Sequence, residues 1–175
     1  MRWFWIDRFT EFVSGQRAVA IKNVTLSEPH LHGYFSGYPV MPNPLILEGL
    51  AQTGGTLLGE VSQFKSRLVL AKVSKVHYHF LVRPGDTLHY VANLESVGPE
   101  GARIQAHSRV NDRVQCEAEF YLAILPSQHD AEQLFDPSTF ARLLRVLGLY
   151  DVGVDADGRP LQMPSDLLDA EATAS

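Results

Sequence analysis

The feature that most constrains this chain is an apolar, glycine-rich stretch between residues 44 and 63. Its apolar and small residues recur at the three-and-four spacing of one helical face: Leu47, Leu50, Gly54, Leu57 and Val61. The stretch also contains four glycines: Gly49, Gly54, Gly55 and Gly59. Each glycine costs about 1 kcal/mol relative to alanine in an exposed helix. We therefore predict a helix that is buried on most sides and that a surrounding surface approaches closely.

The start of this helix is marked by two prolines around an asparagine. Asn43 is a residue type suited to an N-cap, and Pro44 is tolerated at the first helical position. We therefore predict that the helix begins at Pro44, with Asn43 as its N-cap. Residues 27–43 are predicted to form a loop, because proline and glycine recur along them.

The other residues up to position 125 have the patterns of β-strands. Strands are predicted at residues 18–24, 68–73, 76–80, 87–97, 104–110 and 114–124, with turns at 84–86, 98–101 and 111–112. One long buried helix with hairpin-linked strands predicts an α+β domain in which an antiparallel sheet wraps around the helix. Such a sheet leaves one edge uncovered, so we expect a dimer.

The last fifty residues have a different pattern. Asp136 and Pro137 are typical of an N-cap and first helical position, and Gly148 of a helix end. Between them lies an apolar stripe of Phe140, Leu143, Leu144 and Leu147. We predict an amphipathic helix in an extension spanning residues 127–150, docked on the domain or on a partner. Residues 151–175 are strongly acidic, and we predict a mobile tail with at most one short turn near residues 161–168.

Charge and composition exclude several functions. The formal net charge of −5 provides no basic surface for nucleic acid. The single cysteine, Cys116, forms no internal disulfide, which fits a reducing compartment. No apolar run approaches the roughly 20 residues that span a bilayer, so we expect a cytoplasmic protein. His77 and His79 share a strand face, but no third ligand is evident, and we predict no metal site.

Residues 18–55 resemble the signature region of the FabZ-type 3-hydroxyacyl-acyl-carrier-protein dehydratases. That family has a strand, then Glu-Pro-Phe-Phe-x-Gly-His-Phe-Pro-Gly, then Pro-Gly-Val-Leu, then Glu-Ala-x-Ala-Gln. The matching residues are Glu28, Pro29, Gly33, Phe35, Gly37, Pro39, Pro42, Leu45, Glu48, Ala51 and Gln52. Residues 6–8 and 83–88 also fit, so the resemblance covers residues 4–125. A match of this length with fixed internal spacing is far more specific than one short motif.

The resemblance implies a hotdog fold for residues 1–126, with the long helix inside a curled antiparallel sheet. It also implies a homodimer, which in some relatives assembles further, with active sites at the subunit interface. In that family a loop histidine of one subunit faces a helix carboxylate of the other, here Glu48. The substrate is an acyl chain on the phosphopantetheine arm of acyl carrier protein, and no other cofactor is implied.

Tyr34 occupies the position of the family's histidine. It lies fourteen residues before Glu48, which is the family's interval. Ser36 and Asn43 likewise replace a proline and a glycine of the motif. An ordinary tyrosine, with a pKa near 10, is a poor base at neutral pH, and the loss of a positioned base costs about 100- to 10,000-fold in rate.

His32 is a second candidate for the missing base. In an extended segment His30, His32 and Tyr34 alternate, so their side chains point to the same side. His32 then lies about 6 to 7 Å along the strand from the required place. Tyr34 and His32 are therefore both candidate catalytic residues, together with Glu48.

Glu48 is predicted to act as the acid that protonates the leaving hydroxyl, because burial on an apolar helix raises a carboxyl pKa. Its structural alternative is a glutamate paired with a basic or amide group. Gln52, four residues on, is either that partner or a substrate contact. Free N–H groups at the helix start and near Gly37 are expected to hold the thioester oxygen. The predicted substrate-binding residues are Gly37, Phe35, Gln52, Pro42 and Leu45.

Three functions follow from these residues. The first is a dehydratase that uses Glu48 with Tyr34 or His32. The second is a hotdog protein without catalysis that binds acyl-acyl-carrier-protein or partners an active paralogue. The third is a thioesterase in which Glu48 activates water or attacks the carbonyl. The loop and helix residues match dehydratases better than thioesterases, and fold alone does not decide among them.

Overall fold

A computed structural model describes residues 4–33, 37–125 and 136–173. The elements up to the long helix are β1 (Arg8–Val13), β2 (Arg17–Asn23), α1 (His30–Gly33) and α2 (Asn43–Val61). Four long strands follow: β3 (Arg67–Tyr78), β4 (Thr87–Gly98), β5 (Gly101–Val110) and β6 (Arg113–Leu125). The chain continues with α3 (Pro137–Val146), α4 (Leu149–Val152), β7 (Gly153–Val154) and α5 (Ser165–Thr173).

All seven described strands belong to one sheet. Their order is β3-β6-β5-β4-β2-β1-β7, and every pair is antiparallel except β1 with β7. Register shifts interrupt four of the pairs, and such bulges bend strands and increase their twist. The curled sheet packs on α2 through β2, β3, β4 and β5. The predicted α+β architecture, a long helix wrapped by an antiparallel sheet, is confirmed.

The glycines of α2 explain how closely the sheet approaches the helix. A Cβ atom on Gly49 would lie 2.5 Å from ring atoms of Tyr90, and one on Gly54 would lie 3.2 Å from Ile104 Cγ2. Tyr90 and Ile104 are fully buried, so neither can move away cheaply. The predicted close approach is therefore confirmed at these two glycines. It is wrong at Gly55, where a Cβ atom would meet nothing within 4 Å.

The helix begins one residue earlier than the sequence predicts. Pro42 is the N-cap, with φ −60° and ψ 128°, and Asn43 and Pro44 are the first two helical residues. The expected capping role of Asn43 is therefore wrong. Among the described residues its buried Oδ1 atom has no hydrogen-bond partner, and its carbonyl accepts a bond of 2.9 Å from the Tyr78 hydroxyl. Pro42 takes the cap because proline readily adopts this extended conformation.

Helix α3 has the ends that the sequence predicts. The Asp136 carboxylate accepts the N–H of Thr139 at 2.8 Å, and Gly148 has the left-handed φ of 65°. The Leu147 carbonyl accepts a hydrogen bond of 2.8 Å from the N–H of Phe9 on β1. Leu144 and Leu147 are buried. The helix therefore docks on its own domain.

The expectation of a mobile acidic tail is wrong for residues 151–173. β7 extends the sheet beside β1, and α5 packs against α3. Met163 and Leu167 are only 8% and 9% exposed. The Asp155 carboxylate accepts the N–H groups of Asp157 and Arg159 at 2.8 and 2.9 Å, so this acidic residue forms a turn. Although this segment is acidic, its apolar residues Met163 and Leu167 are buried against the rest of the protein.

Candidate active site

A groove of about 780 Å³ runs along the face of α2 that is turned away from the core. On the helix it is lined by Glu48, Ala51, Gln52, Gly55, Thr56 and Gly59. Residues 64–70 form its other side, and Phe4 and Ile6 lie near the helix. Because the opposite face of α2 is filled by core residues such as Leu50 and Leu57, the helix separates a packed interior from an open channel.

Two hydrogen bonds connect Glu48 to Gln52 and Gln52 to the backbone of Trp5. Gln52 Nε2 donates to Glu48 Oε1 at 3.0 Å, and Gln52 Oε1 accepts the backbone N–H of Trp5 at 2.8 Å. The spacing of four residues puts both side chains on one face of α2. Gln52 therefore orients the carboxylate and ties the N-terminal segment to the helix. Two roles were expected for Gln52, and the structure has it as the hydrogen-bond partner of Glu48.

The expected burial of Glu48 is wrong for the single chain. Although most of α2 is buried, Glu48 is exposed at the groove. The sequence prediction overlooked that the carboxylate lies on the open face of the helix rather than against the sheet.

Three of the other predicted site residues are not part of the groove lining. Pro42 is the buried N-cap of α2, Leu45 is half-buried against the core, and Gly37 is exposed. None of these three is among the described residues that line the groove. Tyr34 and Phe35 lie outside the described residues.

The expected oxyanion donors at the start of α2 are largely occupied. Pro44 has no N–H, and the N–H groups of Leu45 and Ile46 both donate to the Pro42 carbonyl, at 2.9 and 3.3 Å. The first turn of this helix therefore offers fewer donors than an ordinary helix N-terminus.

His30 and His32 lie on the short helix α1, not in the extended segment that the sequence predicts. Residues two apart on a helix are about 200° apart around its axis, so the two side chains point to opposite sides. His32 is exposed. The ring of His30 packs edge-on against Trp5, with 4.9 Å between centroids. Burial lowers the pKa of His30 below its ordinary value; nearby Glu28 opposes this shift and Lys22 adds to it.

The histidines of β3 form a pair beside a glutamate. The rings of His77 and His79 have centroids 4.5 Å apart, and His79 Nε2 lies 3.1 Å from Glu117 Oε2. In the described parts of the chain, no three His, Cys, Asp or Glu side chains are grouped to hold a metal ion. Over those same residues, no helix is both long and apolar enough to cross a membrane.

A comparison with known proteins places this fold and groove in a family. The sequence profile of the FabA-like domain matches residues 3–119. This chain belongs to the FabA-like family. The resemblance read from residues 18–55 is thereby confirmed, as is the hotdog fold that it implies.

Curated members of the FabA-like family are similar over most of their length. A 3-hydroxyacyl-acyl-carrier-protein dehydratase FabZ of Clostridioides difficile (strain 630) is 39% identical over 121 residues, which is 69% of this chain and 85% of that protein. The FabZ of Chloroflexus aggregans is 40% identical over 120 residues, covering 68% of this chain and 83% of that protein.

Among solved structures, the dehydratase heterocomplex ApeI:P from Xenorhabdus doucetiae matches with a TM-score of 0.61. The match covers 71% of this chain and 84% of that chain, at 14% sequence identity. At this identity the likeness shows the fold alone. The FabA-like profile ends before β6 is complete, so α3, α4, β7 and α5 all lie beyond it.

Sequence reasoning missed the residues at the far end of the groove. Phe64, Phe140 and Leu167 line it together with Gly59. Phe140 is part of the apolar stripe of α3, so the sequence predicted that it docks but not where. Leu167 lies between acidic residues, and only its spacing within α5 indicates a buried position.

Proposed function

We propose that this protein removes water from 3-hydroxyacyl thioesters carried on the phosphopantetheine arm of acyl carrier protein, giving the trans-2-enoyl thioester. The observation that carries the proposal is the carboxylate of Glu48, held by Gln52 at the groove of a FabA-like domain. The names of the FabZ relatives, at about 38% identity, supply the reaction class. We place the reaction in the cytoplasm, in fatty-acid biosynthesis.

Glu48 carries both proton steps in this proposal. As a carboxylate it takes a proton from C2 of the substrate, and the C2–C3 double bond forms as the C3–O bond breaks. The same group, now a carboxylic acid, gives that proton to the departing hydroxyl, which leaves as water. The elimination moves one proton and one hydroxyl group, so it balances without an oxidant or a redox cofactor.

The proposal assigns both roles to one group because Glu48 is the only carboxylate among the described residues that line the groove. Besides Glu48, the ionisable side chains of the described lining are the cations Lys65 and Arg67. Tyr34, at the family's histidine position, acts as a hydrogen-bond donor, since a phenol keeps its proton at neutral pH. We expect a rate below that of a histidine-containing relative by about 100- to 10,000-fold.

A second copy of the chain is proposed to cover the site. Strand β3 is at the edge of the sheet, and its apolar residues Val69, Leu70, Val73 and Val76 are 36% to 40% exposed. A long apolar edge of this kind is a template for pairing with another strand. Pairing of β3 with β3 of a partner brings the partner next to the groove, whose lining includes Leu68 and Val69.

The dehydration assay compares four proteins on 3-hydroxyacyl carrier protein: wild type, Glu48→Gln, Tyr34→His and the control Glu100→Gln, which changes an exposed glutamate in the β4–β5 turn. We expect enoyl product from wild type and from the control, loss of product with Glu48→Gln, and faster turnover with Tyr34→His. The Tyr34→His variant restores a base whose pKa is near neutrality.

Two outcomes contradict the proposal. Saturable binding by a silent wild type, with activity appearing only in Tyr34→His, identifies a binding protein, a function that the tyrosine at the histidine position favours. Free thiol in place of enoyl product identifies a thioesterase.

The proposed dimer is tested by light scattering with Val73→Lys against Val97→Lys. Val73 is on the β3 edge, whereas Val97 is an equally apolar residue, 52% exposed, near the end of β4. A charge in place of this apolar side chain is expected to give monomers, because pairing of the strands would bury the new charge. A monomeric wild type, or two variants with the same mass as wild type, contradicts the pairing.

A further inference from the structure

The groove that begins at Glu48 ends on residues from outside the FabA-like domain. Pro137 and Phe140 of α3 and Leu167 of α5 line it, and all three lie beyond residue 119, where the family profile ends. The extension formed by residues 136–173 therefore contributes directly to the channel that contains the candidate carboxylate.

The end of the groove farthest from Glu48, called the far wall below, depends on an unusual turn after α2. Gln63 and Phe64 both have left-handed backbone angles, with φ of 53° and 58°. Non-glycine residues seldom adopt this conformation, and two in succession are strained. The turn brings Phe64 back onto the helix, where its N–H donates to the Gly59 carbonyl at 2.7 Å. A Cβ atom on Gly59 would lie 3.0 Å from the Phe64 ring, so any larger residue here would push the ring by a few tenths of an ångström.

The extension completes this wall with a second aromatic ring. Phe140 of α3 packs edge-on against Phe64, with 5.2 Å between centroids and 73° between planes. This is a favourable geometry for an aromatic pair. Leu167, which is 9% exposed, lies beside them on the groove. Two aromatic rings and a leucine therefore line the far end of the groove.

The wall is fixed to the domain and does not form a lid. β7 pairs with β1, and Leu144 and Leu149 are buried in the core. Arg145 Nε donates to both carboxylate oxygens of Glu171, at 2.9 and 3.2 Å, and so joins α3 to α5. These contacts hold Phe140 and Leu167 at a constant distance from α2.

The channel between the carboxylate and the wall suits an extended apolar group. Glu48 and Gly59 are eleven residues apart, which is about 16 Å along the helix axis. Gly55 leaves an opening in this part of the helix face, because a Cβ atom there would meet nothing within 4 Å. Glu48 is at one end of the groove, and the apolar side chains of Phe64, Phe140 and Leu167 are at the other, with the cations Lys65 and Arg67 also in the lining. An acyl chain with its thioester at Glu48 matches this arrangement.

We propose that the extension sets the length of acyl chain that this protein accepts, with Phe140 and Leu167 as specificity-determining residues at the end of the groove. This inference rests on the proposed function, since it takes the occupant of the groove to be an acyl thioester. A chain that reaches the wall stops there, so the protein discriminates against longer chains.

The test measures binding rather than turnover, so it does not depend on Tyr34. Calorimetry gives the affinities of butyryl, octanoyl, dodecanoyl and hexadecanoyl pantetheine amides for wild type, Phe140→Ala, Leu167→Ala and Leu167→Trp. The control is Val146→Ala, on the same helix as Phe140 but 75% exposed. Circular dichroism and melting of each variant establish that it is folded.

Opening the wall is expected to favour the longer amides. In Phe140→Ala and Leu167→Ala, affinity rises about fourfold for each methylene newly buried, and that of the butyryl amide stays constant. Leu167→Trp shifts the preference to shorter chains, so the inference stays testable if Phe140→Ala fails to fold. Val146→Ala keeps the wild-type profile.

The outcomes separate this inference from the function on which it rests. A wild type that binds the amides, with one unchanged length profile across all folded variants, overturns the role of the extension and leaves the proposed function standing. A shift in Val146→Ala equal to that in Phe140→Ala also overturns it. A wild type that binds no amide of any length overturns both proposals.

Discussion

The two faces of α2 use glycine for opposite purposes. On the core face, Tyr90 and Ile104 occupy the space where side chains at Gly49 and Gly54 would lie, so the sheet can approach the helix closely. On the groove face, the space above Gly55 is empty. The same residue type thus creates a tight contact on one side and an open channel on the other. One face fixes the position of the helix, and the other provides room for a ligand.

The largest effect is expected on the core face. Gly49→Ala puts a methyl group 2.5 Å from the ring of fully buried Tyr90, and overpacking of this kind costs about 3 kcal/mol. Urea denaturation measures the loss in free energy of unfolding. A Gly49→Ala protein as stable as wild type would show that the close approach of Tyr90 does not constrain the helix.

The next effect concerns chemistry on the groove face. Gln52→Leu removes the hydrogen bond that orients Glu48, and misplacement of a catalytic group can lower turnover by about 100-fold. We expect kcat to fall while KM changes little, because the substrate contacts remain. Gln105→Leu, at an exposed position on β5, is the matched control. A rise in KM with constant kcat would instead identify Gln52 as a substrate contact.

A third substitution contrasts the faces with the same chemical change. Gly55→Ala adds its methyl group to open space, so the helix gains about 1 kcal/mol from the better propensity of alanine. The melting temperature is therefore expected to rise, in contrast with Gly49→Ala. Since the new methyl group enters the groove, binding of long acyl amides weakens. A destabilised Gly55→Ala protein contradicts the distinction between the faces.

Tyr90 itself provides a smaller test. Its hydroxyl is buried without a hydrogen-bond partner among the described residues, and burial raises its pKa far above the ordinary value. Tyr90→Phe removes this unpaired group and keeps the ring on Gly49. We expect the free energy of unfolding to rise by about 1 kcal/mol or less. Calorimetric melting that shows a clear loss would mean that the hydroxyl has a partner.

Two partly buried histidines make the stability of the protein depend on pH. Burial lowers the pKa values of both His30, beside Trp5, and His107 on β5, where Arg17 and Arg109 add to the shift and Glu117 opposes it. Below the ordinary value of about 6.5, the unfolded chain takes up protons that the folded chain does not, so stability falls as pH falls through this region. His107→Gln is expected to reduce this loss without changing acyl binding. Denaturation at about pH 7.5 and pH 5.5 measures it.

Much of the fold could be predicted from the periodicity of the sequence, but the candidate site could be predicted only in part. Alternating residues predicted β2, β4, β5 and β6, and the Asp136 cap predicted α3, because both depend on local chemistry. The two strands predicted at residues 68–73 and 76–80 are the single strand β3, and β1 and β7 were not predicted. The exposure of Glu48 was not predictable, since it depends on which face of α2 the sheet covers. The docking of Leu167 depends on contacts with residues far along the chain, which its acidic neighbours do not reveal.

The short strand β7 has a consequence for how copies of this chain meet. It occupies the β1 side of the sheet with only Gly153 and Val154, and Val154 is bridged in turn by Pro160. Proline has no N–H with which to extend a ladder. Of the two margins of the described sheet, that leaves β3 as the long one. In the proposed dimer the two β3 edges pair with each other, so the described part of the sheet offers no second long edge for further strand pairing.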